Sequence, residues 1–160
     1  MRRFLSCSLT YVVCSVGVWN ESPYSRDYIK ELRRTLDDNG MANTQIVVPD
    51  GSPSAICTDC PPEWGHSIVD HLKNDAALAQ AVGVIGIHGH DVEGIADVGD
   101  WQSVPNANIA LWNSEQNLID GPMPQWSPTE QDPYGSGLAW PRVFIANYVR
   151  RRATATILCP

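Results

Sequence analysis

A chain of 160 residues has the length of one domain, and 43% apolar residues are enough to build a core. A formal net charge of −7 provides no basic stripe, so nucleic acid is a poor partner and anionic lipid surfaces offer little attraction. No apolar run reaches the ~18 residues of a membrane span, and five cysteines are too few and too odd in number for a disulfide scaffold.

The first 18 residues have two arginines and then an apolar run, which is how a secretory signal begins and also how a buried strand looks. The strand reading is preferred. Cleavage after a small residue such as Ser15 would leave Trp19-Asn20-Glu21 at a free end, where no scaffold could aim a carboxylate. Residues 9–19, rich in Val and Tyr, are therefore expected to form a strand buried on both faces, ending in the turn-prone Asn20-Glu21-Ser22-Pro23.

A helix follows. Ser25 caps it, Asp27 suits its first turn, and Tyr28, Ile29, Leu32 and Leu36 recur at helical spacing until Asn39-Gly40 stops it. Residues 45–48 read as a short strand closed by Pro49-Asp50-Gly51, and 51–62 as a loop. Within that loop Cys57-Thr58-Asp59-Cys60 has the spacing of half a zinc site. No second pair completes it, since His66 and His71 stand alone nearby, so zinc, a loop disulfide and two free thiols all remain open.

Residues 67–81 predict one helix with Ile68, Leu72 and Ala76 on a common face. Residues 84–88 are again a short apolar strand, 89–105 a loop with one turn of helix, and 108–112 a strand ending at Asn113-Ser114-Glu115. Four prolines make 116–137 a long connection. Residues 140–151 are patterned as a helix, and 154–158 as a last strand.

This alternation of strands and helices argues for parallel strands with crossovers. The polar residues choose between a doubly wound sheet and part of an eight-fold barrel. Asn20-Glu21, Asp50, His88 and Glu115 each fall just past the C-terminal end of an apolar strand, where barrel enzymes collect their chemistry. A doubly wound sheet would instead gather its site at one switch point, usually with a Gly-rich phosphate loop, and this chain has none. The expected fold class is α/β, a partial (β/α)8 TIM barrel comprising about strands four to eight, in one incomplete catalytic domain over residues 1–160.

Glycoside hydrolysis needs one carboxyl group to protonate the leaving oxygen and a second to meet the oxocarbenium-like centre. Trp19-Asn20-Glu21 and Trp112-Asn113-Ser114-Glu115 supply such a pair on separate strand ends. For retention of configuration the two carboxyl groups should lie about 5–5.5 Å apart.

These motifs resemble those of the galactocerebrosidase (galactosylceramidase) family, glycoside hydrolase family 59. Val16-Gly-Val-Trp-Asn-Glu21 with the helix from Asp27 to Arg34 looks like the family's acid/base strand and helix. Val84-Ile-Gly-Ile-His88 is similar to its sixth strand, Leu111-Trp-Asn-Ser-Glu115 to its nucleophile strand, and the stretch holding Trp140, Arg142 and Asn147-Tyr148 to the entry of its last barrel helix. The resemblance implies retaining hydrolysis of a β-galactosyl bond, typically in a sphingolipid, with Glu21 as acid/base and Glu115 as nucleophile. It places Asn20, in an inward and enclosed position, on the sugar hydroxyl next to the reacting carbon. His88 holds Glu115 or the sugar, while Asp50, Trp112 and Trp140 are further substrate-binding candidates. The chemistry calls for no metal or organic cofactor. A lipid-presenting activator protein and a lysosomal or secreted setting come from the resemblance as well.

Two departures qualify it. The family has an aromatic residue after the histidine of the sixth strand, where this chain has Gly89. A full barrel needs about 250 residues, so strands one to three are expected to be missing and the isolated chain to hydrolyse little. The rival readings are another retaining glycosidase of the same clan and a non-catalytic remnant that binds sugar through its Trp surface.

Overall fold

The computed structural model describes residues 13–90, 93–106, 108–116 and 139–158. Five strands, β1 (Ser15–Gly17), β2 (Gln45–Gly51), β3 (Val84–Gly89), β4 (Ala110–Gln116) and β5 (Ala155–Leu158), form one sheet whose spatial order is the order of the chain. Every neighbouring pair is parallel. A doubly wound sheet reverses its strand order at a switch point. Here it never reverses, which is the winding of a β/α barrel, so the expected partial (β/α)8 architecture is the one observed.

The helices are α1 (Arg26–Asp38), α2 (Ile68–Asn74), α3 (Ala76–Ala81) and α4 (Ala139–Phe144), the last running into a π-type turn at Ile145–Arg150. Ser25 caps α1 as expected, its hydroxyl accepting from the Tyr28 N–H at 3.2 Å. Ile29 and Leu36 of α1 are buried with Ile68, Leu72 and Leu78 in one cluster that includes the strand residues Ile46, Val48, Ile85, Ile87 and Leu111. All six positions of β3 are buried, as befits a central parallel strand covered on both faces. Among the described residues no helix is long and apolar enough to cross a membrane.

Two boundaries differ from expectation. The single helix predicted over 67–81 is broken into α2 and α3 at Asp75, whose backbone is extended (φ −129°, ψ 97°). An aspartate does better at a helix start than inside one, and the Asp75 carboxylate accepts from the Leu78 N–H at 2.9 Å to cap α3. The same carboxylate meets Lys30 Nζ at 3.1 Å and Arg26 at 3.6 Å, which ties α3 to α1. The second difference is β2, which does not close at Val48 but runs on through Pro49-Asp50-Gly51. Pro49 pairs with Gly86 and Gly51 with Ile87, leaving Asp50 as the extra residue of a bulge, a position where a strand tolerates proline. Strand β1 is described only from Ser15, and residues 1–12 and 117–138, with most of the predicted first strand and the proline-rich connection, lie outside the described residues.

Burial alone would raise the Asp75 carboxyl, but the Leu78 N–H, Lys30 and Arg26 outweigh it and hold the group below its ordinary range. A folded-state value lowered in this way contributes stability that is complete above the unfolded-state value near 4 and is lost as pH falls through the folded one. Asp75→Ala should therefore cost about 1–2 kcal/mol at neutral pH. In urea unfolding, the gap between the variant and the parent chain should close below about pH 4.

Candidate active site

The site is assembled at the C-terminal ends of β1 to β4. After β1, Val18 is still paired, its N–H donating to the Val47 carbonyl at 3.2 Å. The chain then turns sharply, with Trp19 (φ 66°) and Glu21 (φ 52°) both in the left-handed region. For residues with a Cβ this costs roughly 1–2 kcal/mol each, so neighbouring contacts must hold the turn in place. One is the Glu21 N–H, which donates to the Asp50 carbonyl at 3.0 Å. The approach depends on Gly51, where a Cβ would stand 3.2 Å from Glu21 Cα.

Between β3 and β4 the register pairs Ile87 with Asn113 and then His88 with Glu115, so Ser114 is an extra residue. Side chains alternate along a strand, and without this bulge His88 would lie opposite Ser114. The bulge brings Glu115 into that place instead.

The His88 side chain is only 2% exposed. Its Nδ1 is 3.0 Å from Glu21 Oε1, a hydrogen bond in which the ring N–H donates to the carboxylate. Its Nε2 lies 3.5 Å from Asp50 Oδ1 and 3.8 Å from Glu115 Oε2. Three residues expected at strand ends, Glu21, Asp50 and Glu115, thus converge on the imidazole of the fourth, His88. Glu21 is the open member, with its side chain 57% exposed, against 22% for Asp50 and 28% for Glu115.

A buried amide pair, which no local sequence pattern signals, supports this cluster. Asn113 Nδ2 donates to Gln116 Oε1 at 2.5 Å, and Gln116 Nε2 donates to the Gly89 carbonyl at 3.0 Å. A Cβ on Gly89 would stand 2.5 Å from Gln116 Oε1 and 2.9 Å from Asn113 Nδ2. The place beside His88 is therefore filled from β4, and a side chain at position 89 would have to displace one of these amides. Asn147, also fully buried, accepts from the Ile95 N–H at 3.0 Å and donates to Thr156 at 3.2 Å, fastening the segment after β3 to β5.

The remaining candidates sit further out. Asn20 is exposed rather than enclosed, because the left-handed residues on either side of it swing it onto the rim. Trp19 is 43% exposed and packs on Tyr28 with ring centres 4.6 Å apart. Trp112 is partly buried within β4 opposite Gly86, and Trp140, partly buried at the start of α4, stacks on Phe144 at 6.1 Å. Of the alternatives for Cys57 and Cys60, the structure has the disulfide, so these sulfurs are not zinc ligands. His71, far from standing alone, is buried beside them and hydrogen-bonded to the Tyr24 hydroxyl. Burial, reinforced by the Asp59 charge, pushes that phenol above its ordinary value. Glu21, His88 and the exposed His90 have ligand atoms within 4.8 Å of one another and could hold a divalent ion.

Parallel strands wound in sequence order, with carboxylates gathered at their C-terminal ends, define the arrangement of the β/α-barrel class, whose sites lie at that face. A family model described as glycosyl hydrolase family 59 matches residues 4–160, and the chain belongs to that family. It is similar to the galactocerebrosidase of Danio rerio, 31% identical over 145 residues, and to that of Salmo salar, 32% identical over 142; each match covers 89% of this chain and 17% of the relative. The galactocerebrosidase of Homo sapiens is 29% identical over 156 residues, covering 98% of this chain and 18% of that protein. The chain thus spans about a sixth of the length of the curated relatives it matches.

Gly89→Ala should force apart the Asn113–Gln116 pair and cost about 1–3 kcal/mol. Urea unfolding of the two proteins checks this, and equal midpoints would show that the amide pair yields without cost.

Proposed function

We propose that this chain carries the catalytic pair of a retaining β-galactosidase acting on galactosylceramide-type glycolipids, with Glu115 as nucleophile and Glu21 as acid/base. The observation that carries the reading is the His88 bridge, one buried ring lying against both carboxylates from different strand ends. Family membership and the names of the relatives supply the sugar and the lipid.

In the first step a Glu115 oxygen forms a bond to the anomeric carbon while the bond from that carbon to the leaving oxygen breaks. The proton of Glu21 passes to that oxygen. In the second step Glu21 takes a proton from water, whose oxygen displaces Glu115 and returns the sugar with its original configuration. His88 positions Glu21 through the 3.0 Å hydrogen bond. Asn20 on the rim, Asp50 beside His88, and Trp112 and Trp140 complete the substrate-binding set. Residues 1–160 are then one incomplete catalytic barrel domain. A lipid-presenting activator protein and a lysosomal or secreted setting belong to the same proposal.

Labelling with 2-deoxy-2-fluoro-β-galactosyl fluoride tests it, because the 2-fluoro group slows release of the covalent intermediate. The expected result is the mass gain of one fluorosugar at Glu115, lost in Glu115→Gln. Glu21→Gln should slow turnover of substrates with poor leaving groups by about 10²–10⁴-fold, and those with good ones far less. Sugar binding without any label at Glu115 would favour the non-catalytic remnant, and preference for aryl glucosides or xylosides would favour another retaining glycosidase of the clan.

A further inference from the structure

His90 follows His88 by two residues, so strand alternation turns both rings to one side of the sheet end, where their centres are 6.1 Å apart. The backbone between them is fixed. Gly89 forms an antiparallel bridge with Ile95, whose N–H donates to the buried Asn147 Oδ1 at 3.0 Å. One ligand atom from each of Glu21, His88 and His90 lies within 4.8 Å of the other two. In the innermost pair, His88 Nδ1 and Glu21 Oε1 are 3.0 Å apart. Two donors on a tetrahedral zinc ion, each at ~2.0–2.1 Å, stand roughly 3.3 Å from each other. An ion can therefore take the place of the proton between them with only a small shift.

The far side of the ring favours that exchange. While Nδ1 carries the proton, Nε2 presents a lone pair toward Asp50 Oδ1 at 3.5 Å and Glu115 Oε2 at 3.8 Å. It is buried and has no hydrogen bond among the described residues. Acceptors thus face an acceptor, a mismatch that the other tautomer removes. With an ion on Nδ1, the single proton of the ring moves to Nε2 and points at the two carboxylates, which is the arrangement that orients a metal-bound histidine and makes it a better ligand. Three carboxylates around one ring also attract a divalent cation. Access is open, since Glu21 is 57% exposed and His90 is exposed as well. Two imidazole nitrogens and one carboxylate oxygen select zinc or a neighbouring transition ion over magnesium and calcium, which prefer shells of oxygen alone.

We propose that Glu21, His88 and His90 form a zinc site, with Nδ1 of His88 as the ligand and its Nε2–H turned to Asp50 and Glu115. A bound ion occupies the carboxylate that would otherwise hand over a proton, and so withholds Glu21 from its step. That consequence, unlike the site itself, rests on the assignment of Glu21 as acid/base. Calorimetric titration of the full chain with zinc chloride tests the site. His90→Ala and Glu21→Gln should each weaken binding by at least about tenfold, and His66→Ala, which removes an exposed histidine elsewhere, should leave it unchanged. Nitrogen-15 spectra of the imidazoles read the tautomer: zinc should move the His88 proton from Nδ1 to Nε2 in the parent chain, and not in His90→Ala at a concentration that saturates only the parent. Absence of binding in the parent, affinity unchanged in both ligand variants, or a His88 proton that stays on Nδ1 in the zinc-loaded chain overturns the site and leaves the catalytic pair standing. Zinc binding that responds to His90 and Glu21, in a chain that takes no fluorosugar label, keeps the site and removes its catalytic consequence.

Discussion

One buried imidazole gathers carboxylates from three different strand ends, Glu21 hydrogen-bonded to its Nδ1 and Asp50 and Glu115 lying 3.5 and 3.8 Å from its Nε2. His88 lies within β3 and is almost wholly covered, whereas Glu21, Asp50 and Glu115 come from the segments after β1, within β2 and within β4. Regular pairing would not place them there, because a strict two-residue alternation turns Ser114 rather than Glu115 toward His88. Each neighbouring strand of β3 therefore has one residue too many for its partner, Asp50 in β2 and Ser114 in β4. The two bulges give up a little sheet regularity near the rim, and they set the direction of the charged side chains around the ring.

The close packing behind the cluster follows from that choice. With β4 bulged at Ser114, Asn113 and Gln116 are both buried, Asn113 donating to Gln116 and Gln116 to the Gly89 carbonyl. An aromatic side chain after His88, the pattern of the resembled family, has no room against this pair. Support for the site comes from a hydrogen-bonded amide layer below it rather than from a ring beside it.

How much could be read in the sequence follows from the same geometry. Strand and helix order, the α1 cap at Ser25 and the clustering of Glu21, Asp50, His88 and Glu115 at strand ends depend on local pattern and on the parallel winding, and these were legible. The bulges were not, since an extra residue within a strand leaves the apolar alternation nearly unchanged over so few positions. Asp75 looked like part of a helix because its cap to Leu78 costs the pattern nothing. Asn20 looked enclosed because sequence does not reveal that Trp19 and Glu21 take left-handed backbones. The hydrogen bonds that Asp59 accepts at the start of α1 were hidden for another reason: its partners Ser25, Arg26 and Asp27 are more than thirty residues away, and only the fold brings them together.

The two glutamates are held in unlike ways, and the difference suits the proposed roles. Glu115 is part of a strand whose backbone is bonded on both sides, and its side chain is mostly covered. A nucleophile needs that fixity, since attack on the anomeric carbon depends on a narrow range of approach. Glu21 instead sits on a turn outside the sheet, more than half exposed, with its backbone pinned to Asp50 and its carboxylate steadied by His88. An acid/base gives up a proton in one step and recovers it from water in the next, so it must be aimed and yet reach solvent. Exchanging the two positions would bury the group that has to meet water and loosen the group that has to form a bond. The assignment of Glu21 and Glu115 to their separate steps therefore has support in the backbone that carries each, beyond the order in which they occur in the chain.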